Sequence, residues 1–279
     1  MKVFFYTAFA LVCFAFNSIL CRLALRAGEA DAAGFTLVRL VSGALALVAL
    51  VYFSGRKASA LKVGGDWRSA VFLFLYAICF SFAYLGLTAA TGALILFGSV
   101  QATMILAAVA SGERPRPIEW LGLAVALGGL VYLVLPGLAA PPLSSSLLMA
   151  AAGAAWGFYT LRGRASRDAL ADTAGNFLRS VPFVVLIALV FFGQLNLSAT
   201  GALAAVLSGA VASGVGYSVW YAALAHHTAT RAAALQLSVP AIAALAGVVL
   251  LAEPVSLRLV VASSLILGGI GLVIRGKKR

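Results

Sequence analysis

The sequence predicts an all-α polytopic membrane protein. Ten transmembrane helices are expected, as two five-helix inverted repeats around a central cavity, with N- and C-termini cytoplasmic. Three observations lead there. The 279 residues are 63% hydrophobic and only 10% charged, with a mean hydropathy of +1.07; a soluble domain carries about 45–50% apolar and about 25% charged residues. The apolar runs are long and joined by short connections, and in hydrocarbon only helices or closed barrels satisfy the backbone. These runs are too long for barrel strands. Finally, the chain repeats itself. The stretch 93–133 has Ser99, Gln101 and Thr103 in an apolar run, the break Gly112-Glu113-Arg114-Pro115, then Leu127-Gly128-Gly129. About 140 residues later come Ser238 and Pro240, the break Ala252-Glu253-Pro254, and Leu267-Gly268-Gly269.

In order, the expected spans are 3–25, 33–54, 68–89, 91–111, 117–136, 144–164, 172–192, 202–224, 228–251 and 256–275. The first is too long for a signal-peptide core, so it reads as a retained helix. It offers Asn17 and Ser18. The second carries Arg39. On the third, Tyr76, Phe80 and Tyr84 recur every fourth residue and share one helical face. The fourth holds Ser99 and Gln101, and Glu113 follows it. The sixth has Trp156 and Tyr159 one turn apart. The seventh contains Asn176, Arg179 and Pro182. On the eighth, Ser213, Tyr217 and Tyr221 share a face, and the ninth has Gln236, Ser238 and Pro240. Small-residue pairs (Gly153-x3-Gly157, Gly209-x3-Ser213, Ala124-x3-Gly128) would let backbones approach. The fifth and tenth hold the Gly-Gly pairs. The repeat units are 1–140 and 141–279.

Placing the N-terminus inside puts 15 lysines and arginines on the inner side and three (Arg22, Arg26, Arg258) outside, leaving Arg39 and Arg179 within helices. The positive-inside rule then makes both termini cytoplasmic. The same rule accounts for the net charge of +12 without nucleic acid. Five helices per half is an odd number, so the second half enters the membrane inverted. That arrangement implies a secondary transporter with its substrate near the midplane. At the 140-residue offset Arg22 falls on Arg162, Arg39 on Arg179 and Phe16 on Trp156.

These residues together resemble the EamA branch of the drug/metabolite transporter superfamily: two five-helix halves, Phe16/Trp156, Arg39/Arg179, and Glu-Pro breaks before Leu-Gly-Gly. Within it the chain is similar to bacterial inner-membrane exporters of amino acids and related metabolites, the YddG type among them. The resemblance implies efflux of small organic molecules by alternating access through a central cavity. Organic cations, organophosphates and nucleotide sugars are alternative cargoes in the same superfamily.

Polar groups at membrane depth are costly and face the bundle interior or a watery pathway. The candidate cavity set is Asn17, Ser18, Tyr76, Phe80, Ser99, Gln101, Trp156, Tyr159, Asn176, Ser213, Tyr217, Gln236 and Ser238. Trp67, Trp120, Tyr84 and Tyr221 lie near helix ends, where an interfacial belt explains them. Gating candidates are Arg22, Arg39, Glu113, Arg162, Arg179 and Glu253, with Arg39 meeting outer carboxylates and Arg179 meeting Glu113, Asp168 or Asp172. Pro182 and Pro240 are the hinge candidates.

All eight carboxylates fall in loops or at helix ends, which predicts transport without a midplane carboxylate for proton coupling. Cys13, Cys21 and Cys79 are odd in number and lie in apolar segments, so they suggest neither disulfides nor a metal site. His226 and His227 are adjacent and peripheral, and no nucleophile–base pair is visible. No catalytic residue, cofactor or metal is expected. The expected partners are a small-molecule substrate and the lipid bilayer, with no nucleic acid, for a monomer in the bacterial inner membrane.

Overall fold

The computed structural model describes residues 2–54, 64–110, 112, 116–134, 140–163, 166, 168–224, 226, 235–236 and 238–276, and among these the chain forms ten long helices. They are α1 (Lys2–Arg26), α2 (Ala32–Phe53), α3 (Trp67–Ala83), α4 (Ala89–Ala110), α5 (Pro117–Val134), α6 (Leu143–Gly163) and α7 (Ala169–Val190), then α8 (Ala199–Leu224), α9 (Ser238–Leu251) and α10 (Leu257–Gly276). Five of them are long and apolar enough to cross a membrane: α1, α2, α4, α7 and α8. Shorter apolar helices include α3, α5, α9 and α10. The expected third span of 68–89 ends early. Tyr84 caps α3, and 84–88 turn into α4.

Side-chain caps start several helices. The Asp31, Asp66, Asp168 and Ser198 side chains accept the amides of Gly34, Ser69, Ala171 and Gly201, satisfying backbone donors that have no partner within the first turn. The Asp31 carboxylate also accepts the Asn196 amide, and the Ser198 hydroxyl also donates to Glu29, so these two hold a neighbouring turn as well as a helix start.

The packing has internal symmetry. Exchanging α1–α5 for α6–α10 maps α3·α6 onto α8·α1, α4·α6 onto α9·α1, and α3·α7 onto α8·α2. The pairs α2·α7, α4·α9 and α5·α10 map onto themselves. Helix direction shows the inversion. The end of α1 meets the end of α9 and the start of α4 through Arg26–Leu251 and Glu253–Ala89. The starts of α2 and α8 meet the end of α7 there, through Asp31–Asn196 and Ser198–Glu29. The end of α6 instead lies at the opposite side, against the start of α3. Repeat mates therefore run antiparallel. The two sides are called below the Arg22 end and the Arg162 end.

The Leu-Gly-Gly motifs explain the α5·α10 pair. A Cβ on Gly269 would stand 2.5 Å from Ala126 N and Gly122 O, and one on Gly129 would stand 2.8 Å from Leu265 Cβ. Gly128 and Gly268 have nothing within 4 Å. Close packing therefore falls on the second glycine of each motif, and the expectation for Ala124-x3-Gly128 shifts by one residue. Gly153 lies against Leu96 and Ser99, and Gly157 against Thr103, as their spacing suggested.

Part of α8, Leu207–Val215, is π-helical. In an α-helix, residues five apart point about 140° away from each other. The i→i+5 bonding of a π-helix brings them onto one face. Ser208 and Ser213 thus both reach Asn17, at 2.7 and 3.3 Å. The α2 helix crosses this stretch closely, since a Cβ on Gly209 would clash with Arg39 O, and one on Gly43, already against Phe177, would stand 3.0 Å from Gly209 O.

The glycine pair makes a matched test. Gly269→Ala should cost about 1–3 kcal/mol through overpacking, while Gly268→Ala stays within about 0.5 kcal/mol of the parent. Denaturant unfolding of the detergent-purified variants measures both, and equal losses would contradict the α5·α10 register.

Candidate functional site

At the centre of the bundle, Phe14, Asn17, Tyr76, Leu96, Phe97, Trp156 and Tyr217 line a cavity of about 10 Å³. That is room for about one water molecule. Its walls are rings in mutual contact. Trp156 lies 4.8 Å from Tyr76 and 4.7 Å from Tyr217 between centroids, and Phe14 meets Trp156, Tyr217 and Trp220 edge-on at 5.6–6.0 Å. Such pairs contribute about 0.5–1.5 kcal/mol each beyond their buried area.

Behind this wall lies Arg39, only 1% exposed. Its Nη2 donates to Tyr76 Oη at 3.0 Å and Tyr217 Oη at 3.2 Å, and its Nε donates to Ser213 Oγ at 3.4 Å. The guanidinium also sits 5.1 Å from the Tyr76 ring centre and 4.9 Å from that of Phe80. Its Nη1 is buried without a hydrogen-bond partner. The expected pairing with outer carboxylates is thus corrected. Arg39 starts about two turns into α2, but its long side chain reaches the tyrosine hydroxyls of α3 and α8.

Two aromatic ladders leave this centre. Tyr76, Phe80 and Tyr84 step along α3 with centroids 5.4 and 4.8 Å apart, toward the Arg22 end. Trp156, Tyr159 and Tyr221 step the other way at 5.5 and 6.5 Å. Each ladder finishes on a tyrosine packed over a glycine: Tyr84 over Gly92, Tyr221 over Gly163. Tyr84 is 0% and Tyr221 7% exposed, so these two are internal plugs and not members of an interfacial belt. Trp67 and Trp120, at 57% and 47% exposed, do lie on the surface near helix ends.

The Arg22 end is tied by a buried ion pair. Arg22 Nε meets Glu253 Oε1 at 3.4 Å, with side chains 16% and 4% exposed. Arg22 Nη1 also donates to Tyr84 O, and Arg26 Nη1 to Leu251 O. The Glu253 carboxylate accepts the Ala89 amide with both oxygens, at 3.1 and 2.9 Å, where the start of α4 favours negative charge. A left-handed residue turns Glu253 into place. Ala252 has φ +49°, and Glu253 N bonds back across the end of the helix to Gly247 O. The repeat mate of Ala252 is Gly112, with φ +90°. Glu113 itself lies outside the described residues.

The Arg162 end is tied more loosely. Arg162 Nη2 meets Asp66 Oδ1 at 3.0 Å, with side chains 38% and 46% exposed, and its Nε donates to Ser69 Oγ. The segment 64–66 lies on α7: Gly65 N and Asp66 N donate to Asp172 and Asn176, and Arg179 Nη1 donates to Gly64 O at 2.6 Å. A vestibule of about 50 Å³ opens here, lined by Asp66, Tyr159, Arg162, Asp172, Asn176 and Tyr221 among others. Tyr159 and Tyr221 stand between it and the centre. Burial alone would raise the Asp66 carboxyl, but bonds from Ser69 and Arg162 hold it at about 2. This lowered value means the contribution to stability is full above about pH 4 and fades only between about pH 4 and 2.

Of the expected cavity residues, Asn17, Tyr76, Trp156 and Tyr217 line the centre, Phe80 and Ser213 contact Arg39, and Tyr159 and Asn176 line the vestibule. Ser18 is buried but does not line the cavity, and Ser99 packs on Gly153. Gln101 and Gln236 are buried elsewhere, and Ser238 Oγ bonds to Leu235 O. Phe16 is 40% exposed although its repeat mate Trp156 is buried. Pro182 lies inside α7 and Pro240 in the first turn of α9. Ser208 was not anticipated, because helical periodicity separates it from Ser213. Among the described residues no cluster of His, Cys, Asp and Glu could hold a metal ion.

Comparison with known proteins places this geometry in context. The EamA-like transporter family matches residues 1–135 and again 143–275. An uncharacterized protein of Pseudomonas aeruginosa is 52% identical over 268 residues, covering 96% of this chain and 93% of its own length. An uncharacterized transporter of Archaeoglobus fulgidus is 41% identical over 83 residues, 30% of this chain and 29% of that one. A solved crystal structure shares the fold with a TM-score of 0.71 at 19% identity, covering 99% of both chains.

The two ends should differ in strength. Glu253→Ala is expected to destabilise the protein by about 3–5 kcal/mol, leaving Arg22 buried without its partner. Arg162→Ala should cost about 1 kcal/mol or less, because that pair is exposed. Unfolding in a mild detergent compares them, and similar losses would contradict the assignment.

Proposed function

The chain belongs to the EamA-like transporter family, and on that premise we propose that it is a secondary transporter exporting amino acids, aromatic ones included, and related small metabolites by alternating access. One observation carries the reading: a contracted, aromatic-walled centre lies between two unlike closures, the Arg22–Glu253 pair and the Arg162–Asp66 pair. Opening either closure while the other holds would expose the centre to one side at a time.

In this reading the protein lies in a bacterial inner membrane, with the Arg22 end outward and the Arg162 end and both termini facing the cytoplasm, an orientation that the lysine and arginine distribution supports. The weaker Arg162 closure then faces the side from which an exporter loads. The tyrosine and tryptophan rings suit ligands with an apolar body, and ring faces can receive an ammonium group. In this reading the protein performs no covalent chemistry, needs no cofactor and works as a monomer. Pro182 and Pro240 serve as bending points.

Energy coupling follows from where acids stand. Neither Asp66 nor Glu253 touches the central cavity, and Asp66 stays ionised at physiological pH. Transport is therefore exchange or facilitated diffusion, with the gradient of the cargo as its driving force.

Reconstitution into liposomes tests this. Labelled phenylalanine outside should accumulate transiently in vesicles preloaded with unlabelled phenylalanine, which a channel cannot produce. Collapsing the pH gradient should leave the flux unchanged, and Trp156→Ala should weaken half-saturation by about tenfold. Proton-driven flux, or entry without trans-stimulation, would overturn the reading.

A further inference from the structure

We infer that Arg39, with Tyr76 and Asn17, forms an anion site at the centre and that the cargo is held there by a carboxylate group. The inference rests on the carrier reading above and specifies which part of the cargo the centre recognises.

Arg39 is a full positive charge, 1% exposed, in an apolar bundle. Among the described residues its hydrogen-bond acceptors are three neutral hydroxyls, and no carboxylate lies within ion-pair distance. A buried cation is normally balanced by an anion. Here Nη1 has no partner at all, although a guanidinium offers five donors. Among the described residues the counter-charge is missing, beside a cavity at the centre.

The direction of the hydrogen bonds strengthens the case. Ser213 Oγ accepts from Arg39 Nε, so its own proton goes to Asn17 Oδ1. Ser208 donates to the same oxygen at 2.7 Å. With Oδ1 occupied twice, the Asn17 amide presents N–H to the cavity it lines. Tyr76 Oη and Tyr217 Oη both accept from Arg39, and Tyr217 donates to Tyr76 at 3.3 Å. The Tyr76 hydroxyl proton is left over, on another residue lining the cavity. Every polar chain that starts at the guanidinium thus ends in a donor. Such a lining matches an acceptor-only group, and a carboxylate accepts from a guanidinium in fork geometry. Loading would turn Tyr76 and Trp156 aside, because the closed cavity is only about 10 Å³.

Counterflow with matched solutes is the test: phenylalanine and 3-phenylpropionate against phenylalaninamide and 2-phenylethylamine, beside a panel of other monocarboxylates, organophosphates, neutral solutes and quaternary cations. The wild type should exchange carboxylates and exclude the amide and the amine. Tyr76→Phe keeps the ring, and should raise half-saturation for the carboxylate by about tenfold, the size of a charge-assisted bond. Arg39→Gln should abolish the discrimination, with Arg39→Lys partly restoring it. Exchange of the amide or amine as readily as the acid would overturn the inference while leaving the carrier reading intact. So would exchange confined to neutral or cationic solutes, or to organophosphates. If no solute in the panel is exchanged, the carrier reading fails and the inference falls with it.

Discussion

Burying a guanidinium inside an apolar bundle is costly, and the arrangement around Arg39 is what makes it tolerable. Three hydroxyls on two helices accept its protons, and two rings present their faces to its charge. Those partners come from α3 and α8, the mates of one another in the two repeats. The helix carrying Arg39 can reach both only because α2 crosses α8 at Gly43 and Gly209. The π-helical stretch at that crossing also brings Ser208 and Ser213 onto Asn17. Position, charge and hydrogen-bond polarity at the centre are thus fixed by one local distortion and one close crossing.

From this centre the inverted repeat builds two closed ends that are alike in plan and unlike in strength. Each has an aromatic ladder finishing on a tyrosine over a glycine, and each has an arginine–carboxylate pair. The Glu253 pair is desolvated and backed by a helix start, so opening it exposes two groups that lose their partners together. The Asp66 pair is half in water, where solvent replaces whatever the partner supplied. In the proposed carrier the symmetry would supply the alternation, and the difference in burial makes the Arg22 end the more firmly closed.

Much of this was legible in the residues. The duplicated Glu-Pro and Leu-Gly-Gly motifs gave the repeat, and the rarity of polar groups in apolar helices singled out Asn17, Ser213 and the deep aromatics. Arg39 was placed wrongly because depth along a helix locates a Cα, while the guanidinium acts several ångströms away. Tyr84 and Tyr221 read as belt residues for the same reason: sequence position near a helix end does not say whether a ring faces lipid or a neighbouring glycine. Ser208 was hidden by the π-helix, which breaks the 3.6-residue periodicity on which the reading depends. Asp66 was counted as a loop acid, since nothing in one dimension ties it to Arg162.

Alternation between the ends is the central claim, and distances report it directly. Spin-label pairs at Ala27 and Val255 would follow the Arg22 end, and pairs at Arg68 and Ser166 the Arg162 end, in lipid nanodiscs with and without a transported solute. The account predicts opposite changes, one pair separating as the other approaches. Simultaneous opening of both ends, or a pair of distances indifferent to the solute, would contradict it.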